Sequence, residues 1–200
     1  MVIPSKCGRY VIQHNFKNLT EFVEKMGKGR IAVYDVTDPE PAYLGVALNE
    51  EFHLSFPFVF EHEGELFMCP ESHEANQIRL YRNTGDILSW ELSTILMENI
   101  RAVDCLIFLQ EGCWTLLTSI DETGAGDFST GLWCFQSEQL LSSNWKLQGW
   151  KPANVQSECM RNGGLLESEA QYFRVGQVSD FGEYGSRVHI SRVGDSGSEY

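Results

Sequence analysis

No stretch of the chain approaches the roughly 20 consecutive apolar residues that a membrane-spanning helix requires. Met1 to Lys6 hold no apolar block of the kind that opens a secretory leader. Direct membrane insertion is therefore not expected, and the sequence reads as that of a soluble domain. Closely spaced cysteine pairs are missing too. Cys7, Cys69, Cys105, Cys113, Cys134 and Cys159 are scattered, which argues against a zinc site. There is no Gly-x-Ser-x-Gly and no cysteine matched to a histidine, so the usual activated nucleophiles are absent. Lys and Arg never form a run. With 28 acidic against 15 basic residues the formal charge is -13, which disfavours nucleic acid and anionic membrane faces as partners. Helical periodicity is also scarce; only Leu19 to Met26 could make a turn or two, and that stretch reads as strand.

What the chain does have is enough apolar material to fold. Of its 200 residues 42% are hydrophobic and 22% charged, the balance of one ordinary domain with a sizeable core. Cys105 and Cys134 lie inside apolar runs and read as small core residues. The sequon Asn18-Leu19-Thr20 would permit glycosylation of a secreted chain, although a bare sequon carries little weight.

A repeat organises the rest. Phe56 to Phe60, an acidic turn from Glu61 to Gly64, and Leu66 to Met68 recur as Asp104 to Phe108, a turn from Leu109 to Gly112, and Trp114 to Leu117; Phe60 and Phe108 are 48 residues apart. Each hairpin is followed by a third segment of period-two alternation, Gln77 to Arg82 and Gly131 to Gln136. Further copies of that segment begin at Arg30 and Arg187. A fourth short strand carries Trp90 in one unit and Trp145 in another. Four strands per unit, a period near 50 and turns rich in Gly, Asn and Asp predict a β-propeller with four-stranded antiparallel blades. The expected blades are about 9–48, 49–96, 97–150 and 151–193, in a single propeller domain followed by a polar tail at 194–200. Tyr10-Val11-Ile12 is expected to be the inner strand of the first blade, and Glu167 to Ala170 the turn of the fourth.

Three stretches carry a resemblance: "YLGVALNEEFHLSFPFVFEHEGELFMCPES", "NIRAVDCLIF" and "MRNGGLL" with the following "YFRVGQ" and "EYGSRVHISRV". From about Lys28 to Val193 the chain resembles the N-terminal domain of plant-type glucosamine inositolphosphorylceramide transferases. The resemblance implies a five-bladed propeller of the arabinanase and levansucrase type. Here about four blades are expected, in an incomplete or open ring. It also implies glycosyltransferase chemistry in a separate exostosin-related C-terminal domain, a place in sphingolipid glycosylation and a location in the Golgi lumen. The Asp-Pro-Phe that the family's first inner strand resembles is not found at Arg9-Tyr10.

In propeller glycosidases carboxylates from the inner strands converge, and two are the minimum. Position by position, this chain offers Arg9, Phe56, Asp104 and Gly163 at the axial ends, so Asp104 is the one carboxylate. No catalytic residue and no cofactor or metal is therefore expected, the enzyme alternative being a degenerate glycosidase using Asp104 with Glu158. The leading expectation is a non-catalytic module for a glycan or glycolipid headgroup, alongside a glycosyltransferase domain. A protein-interaction scaffold or gene fragment remains open. Candidate binding residues are His53, Ser55, Asp104, Arg161 and Asn162, because sugar hydroxyls pair with carboxylates and amides. Each also has a structural role available: Ser55 can finish a turn and Arg161 can be the counter-ion of Asp104. Glu24, Glu71, Ser119 and Gln177 occupy equivalent places and are expected to bond backbone. His53, His62 and His73 are spaced unlike metal ligands, and Asp121 to Asp127 lacks the order of a calcium loop.

Overall fold

Period-two alternation becomes fifteen strands in the computed structural model, which describes residues 2–5, 8–14, 28–121, 124–128, 131–148, 160–180 and 183–193. The chain divides into two compact units, Met1–Ile100 and Arg101–Tyr200. In the first, β1 (Val2–Ser5), β2 (Gly8–His14), β3 (Ile31–Asp35) and β4 (Ala42–Leu48) form one sheet, and β5 (Ser55–His62), β6 (Glu65–Glu71), β7 (Gln77–Asn83) and β8 (Trp90–Glu98) form another. In the second, β9 (Ala102–Gln110), β10 (Cys113–Ile120), β11 (Leu132–Ser137) and β12 (Lys146–Leu147) form a third sheet, and β13 (Arg161–Ser168), β14 (Gln171–Asp180) and β15 (Glu183–Arg192) a fourth. Every pairing is antiparallel between consecutive strands, so each sheet is a meander, as the repeat requires.

One expectation is corrected here. Tyr10, Val11 and Ile12 fall in β2 and have partners on both sides, Ile3 and Val2 on one and Asp35, Tyr34 and Val33 on the other. An innermost strand has only one neighbour in its sheet, and that place belongs to β1. Leu19 to Met26, Glu24 and the sequon lie outside the described residues.

The hairpins that open the second, third and fourth sheets share one turn. Glu63-Gly64, Glu111-Gly112 and Glu169-Ala170 are two-residue connections in which both residues have positive φ. This is the twist that suits paired strands. The turn of the fourth sheet is tighter than the expected Glu167 to Ala170, since Glu167 and Ser168 still pair with Tyr172 and Gln171. Gly fills the second position twice, but Ala170 sits there at φ 59°. A side chain in that region costs about 1–2 kcal/mol.

Each unit has its own core. In the first, Ile31, Val33, Leu54, Val59, Met68 and Tyr81 from both sheets pack together. Gly45 in β4 belongs to this contact: at φ 152° and with no Cβ, it leaves room for Leu88, whose Cδ1 lies 3.1 Å from where a Cβ would stand. In the second, Ala102 to Phe108 of β9 are buried without interruption, so the expected inner strand is buried on both faces, with Asp104 its one charged residue. Trp90 and Trp145 do one job at equivalent places: each indole N–H donates to the carbonyl three residues earlier, Ile87 or Ser142, at 2.8 Å. Cys105 and Cys134 are core residues, and burial pushes the Cys134 thiol up to about 11.

Two outcomes are expected. Ala170→Gly relieves the left-handed turn and stabilises the chain by about 1 kcal/mol, which calorimetry reads as a rise in melting temperature of about 2–4 °C. Among the free cysteines Cys69, Cys105, Cys113 and Cys134, the half-buried Cys113 is alkylated by iodoacetamide first, and mass spectrometry finds Cys134 protected until the chain unfolds.

Candidate functional site

Ser55, Asp104, Arg161 and Asn162 each lie at or beside a break in the register of an inner strand. Ser55 pairs with Glu71 and Phe58 with Cys69, leaving Phe56 and Pro57 against one residue of β6. Val103 pairs with Ser119 and Leu106 with Leu117, leaving Asp104 and Cys105 against Thr118. In β13, Arg161 pairs with Gln177 and Gly164 with Val175 across the same interruption. These registers make Phe56, Asp104 and Asn162 equivalent, correcting Gly163 to Asn162 as the axial residue of the fourth sheet, because its bulge and its two-residue turn repeat those of the other two sheets without a shift. Phe56 and Asp104 both have left-handed backbone, φ 41° and 54°. Asp tolerates this conformation, whereas for Phe it is a strain held by the surroundings.

At Asp104 the bulge is locked by a polar network between the third and fourth sheets. The Asp104 carboxylate, only 2% exposed, accepts from Arg161 Nε in a close ion pair. Asn162 Nδ2 donates to the Asp104 carbonyl at 2.7 Å and to the Leu117 carbonyl at 3.2 Å. Asn162 Oδ1 accepts in turn from Arg174 Nε, and Arg174 Nη2 donates to the carbonyls of Met160 and Arg161 at 2.9 and 3.2 Å. Beneath it, the Thr118 hydroxyl donates to the Val103 carbonyl at 2.7 Å and so serves the backbone that the bulge exposes. Three of the five expected binding residues, Asp104, Arg161 and Asn162, are thus brought together. Asp104 and Asn162 face one another and not solvent.

His53 and Ser55 belong to the first unit. His53 Nδ1 accepts from the Gly29 N–H at 2.9 Å, and the His53 N–H donates to Glu74 Oε2 at 2.8 Å. The His73 ring lies 6.4 Å away, bonded through Nδ1 to Glu71 at 3.0 Å. His53 and His73 occupy the places that Arg101 and Asp121 hold in the third sheet, where they form an ion pair of 3.1 Å. Asp121 also accepts from the N–H groups of Gly124 and Gly126 at 2.8 and 2.9 Å, which commits the acid to closing its own loop. Among the described residues no group of three or more His, Cys, Asp or Glu is arranged to hold a metal ion, and no helix is long and apolar enough to cross a membrane. Glu158 lies outside the described residues.

Of the residues expected to bond backbone, Ser119 donates to the Met160 carbonyl at 2.9 Å and Gln177 to the Asn162 carbonyl. Two polar groups were not anticipated. Arg174 is buried in the network above; its signal was a charge at the inward parity of Tyr172, Gly176 and Val178. In the first unit the Tyr81 hydroxyl donates to Glu50 at 2.7 Å, and burial followed by that hydrogen bond raises its pKa far above that of a free phenol. Glu50 also faces Arg79, whose guanidinium lies 4.7 Å from the centre of the Phe52 ring.

A family model described as "Glucosamine inositolphosphorylceramide transferase 1, N-terminal" matches residues 15–199. The protein named glucosamine inositolphosphorylceramide transferase 1 in Arabidopsis thaliana is 40% identical over 159 residues, 75% of this chain and 20% of its own length. The one in Oryza sativa subsp. indica is 32% identical over 160 residues, 76% of this chain and again 20% of its own. The chain thus spans about a fifth of the curated relatives it matches. Among solved structures, an exo-β-1,3-galactanase from Clostridium thermocellum superposes with a TM-score of 0.74 at 16% identity, covering 98% of this chain and 46% of that one. An endo-arabinase from Bacteroides thetaiotaomicron superposes with a TM-score of 0.64 at 12% identity, over 100% and 75%. At such identities these likenesses show the fold, that of the family-43 glycoside hydrolase propellers.

Removing one side of the buried pair should be severe. Asp104→Ala leaves Arg161 without its counter-ion and is expected to cost about 3–5 kcal/mol. In urea unfolding, the double variant with Arg161→Met should cost less than the sum of the two single changes, because the residues share one interaction.

Proposed function

Because the chain belongs to the family of glucosamine inositolphosphorylceramide transferase 1 N-terminal domains, we propose that it is a non-catalytic propeller module associated with a carbohydrate or glycolipid headgroup. The transfer of sugar that its relatives' name describes is carried, in this reading, by the remainder of a longer polypeptide in the Golgi lumen. The module's part is to hold or orient the sugar-bearing substrate.

One observation carries the non-catalytic half of the reading. The register-equivalent residues of the second, third and fourth sheets are Phe56, Asp104 and Asn162, and the one carboxylate among them is buried and neutralised by Arg161. Glycosidic cleavage by the two-carboxylate route needs one group protonated and one ionised, both facing the substrate. The Asp104 carboxylate is buried and turned to Arg161, not toward an open cleft as that route requires. The association with sugar rests on family membership, together with a fold shared with proteins named as galactanase and arabinase.

Incubation with aryl-glycosides is expected to release no phenol above the blank, while a glycan array gives a signal. Product formation that falls in Asp104→Asn, a variant that keeps the left-handed backbone tolerable, would replace this reading with an enzyme. Silence on both the array and the aryl-glycosides would favour a protein-interaction scaffold.

A further inference from the structure

The second and third sheets repeat one another closely enough that a difference between them is informative. In the second, the first residue after the hairpin turn is Glu65, and Arg82 and Glu91 lie beside it on β7 and β8. Arg82 donates to both, at 3.1 Å to Glu65 and 2.8 Å to Glu91, and ties three strands together. The equivalent residues of the third sheet are Cys113, Gln136 and Lys146. No ion triad forms there. The fourth strand is also cut from nine residues in β8 to two in β12, and the connection before it grows from six residues (84–89) to eight (138–145).

A groove of about 380 Å³ opens at that place, within the range of small-ligand sites, roughly 300–1,000 Å³. Four amide residues, Gln136, Gln139, Asn144 and Gln148, line it, with one amine, Lys146, and one carboxylate, Glu138, whose charges offset. Gln136 has one long contact, 3.5 Å to Thr115, and the amides of Gln139, Asn144 and Gln148 make no side-chain hydrogen bond to other described residues. The two lining hydroxyls, Ser137 and Ser142, are occupied in holding the connection: Ser137 donates to the Gln139 carbonyl at 2.9 Å and Ser142 accepts from the Asn144 N–H at 2.9 Å. The loop is therefore shaped by its hydroxyls while its amides remain available.

We propose that this groove at the outer edge of the third sheet is a binding site for a neutral saccharide. An amide presents a donor and an acceptor in one plane, which matches a pair of neighbouring sugar hydroxyls. The offset of Lys146 by Glu138 gives no excess positive charge to hold a phosphate. The site rests on the sugar-associated reading above, and it lies apart from the Asp104 network at the other end of the same strands.

The test uses the full chain, ¹⁵N-labelled, titrated with the methyl glycosides of glucose, galactose and N-acetylglucosamine while the side-chain amide resonances are followed by NMR. Binding should shift the amides of Gln139, Asn144 and Gln148. The double variant Gln139→Ala with Asn144→Ala should weaken it at least tenfold without changing the melting temperature, since both residues are exposed. Installing the closing triad of the second sheet, Cys113→Glu with Gln136→Arg and Lys146→Glu, should abolish the shifts and leave the backbone spectrum folded. Shifts confined to residues around Arg161 would overturn the groove while sparing the sugar-associated reading. No shift with any of the three glycosides would overturn the groove, and with a silent glycan array the broader reading fails too.

Discussion

A strand buried on both faces has nowhere to put a polar group except against a neighbouring sheet. That constraint shapes this protein. β9 is buried from Ala102 to Phe108, yet it contains a carboxylate, and an unpaired charge at such a place would cost several kcal/mol. The chain meets the demand by turning Asp104 into the left-handed region at a bulge, where its carboxylate reaches Arg161 and its carbonyl reaches Asn162. Arg174 completes the arrangement by bonding Asn162 and the carbonyls that lead into β13. Sheet-to-sheet packing in this unit is therefore polar as well as apolar, and the two kinds of contact fix one register together.

The same constraint separates architecture from activity. A fold shared with glycoside hydrolases says that inner-strand ends can be brought together. It does not say that what arrives is an acid and a base. Here one of the three equivalent places is a strained phenylalanine, another is an asparagine serving backbone carbonyls, and the third is a carboxylate already matched to its cation. Where the repeat instead loses a contact, at the edge of the third sheet, uncommitted amides and open space are found.

Most of the fold was legible because side-chain alternation and turn chemistry are local. The hairpins at Phe56 and Asp104, the third segments after them and the paired tryptophans could be aligned by counting, and the indole contacts to Ile87 and Ser142 follow that alignment. Counting failed where the landmarks it started from, a turn or a strand's place in its sheet, were not fixed by composition. The fourth sheet was aligned one residue out of step, at Gly163, although its bulge and turn repeat those of the other two, and β2 passed for an inner strand because an apolar triplet does not reveal how many neighbours it has. Arg174 was missed for a related reason: its inward parity was readable, but the partner that makes burial tolerable lies twelve residues away on another strand.

Sequence alone determined the antiparallel blades, the excess of acidic residues and the repeat that aligns the hairpins, since these depend on periodicity, charge and residue type. Only the tertiary structure decided that Asp104 faces Arg161, and that the place of Glu65, Arg82 and Glu91 becomes an open groove at Cys113, Gln136 and Lys146. Both outcomes turn on which strand edges meet and at what register, and register is set by bulges and packing between residues far apart in the chain.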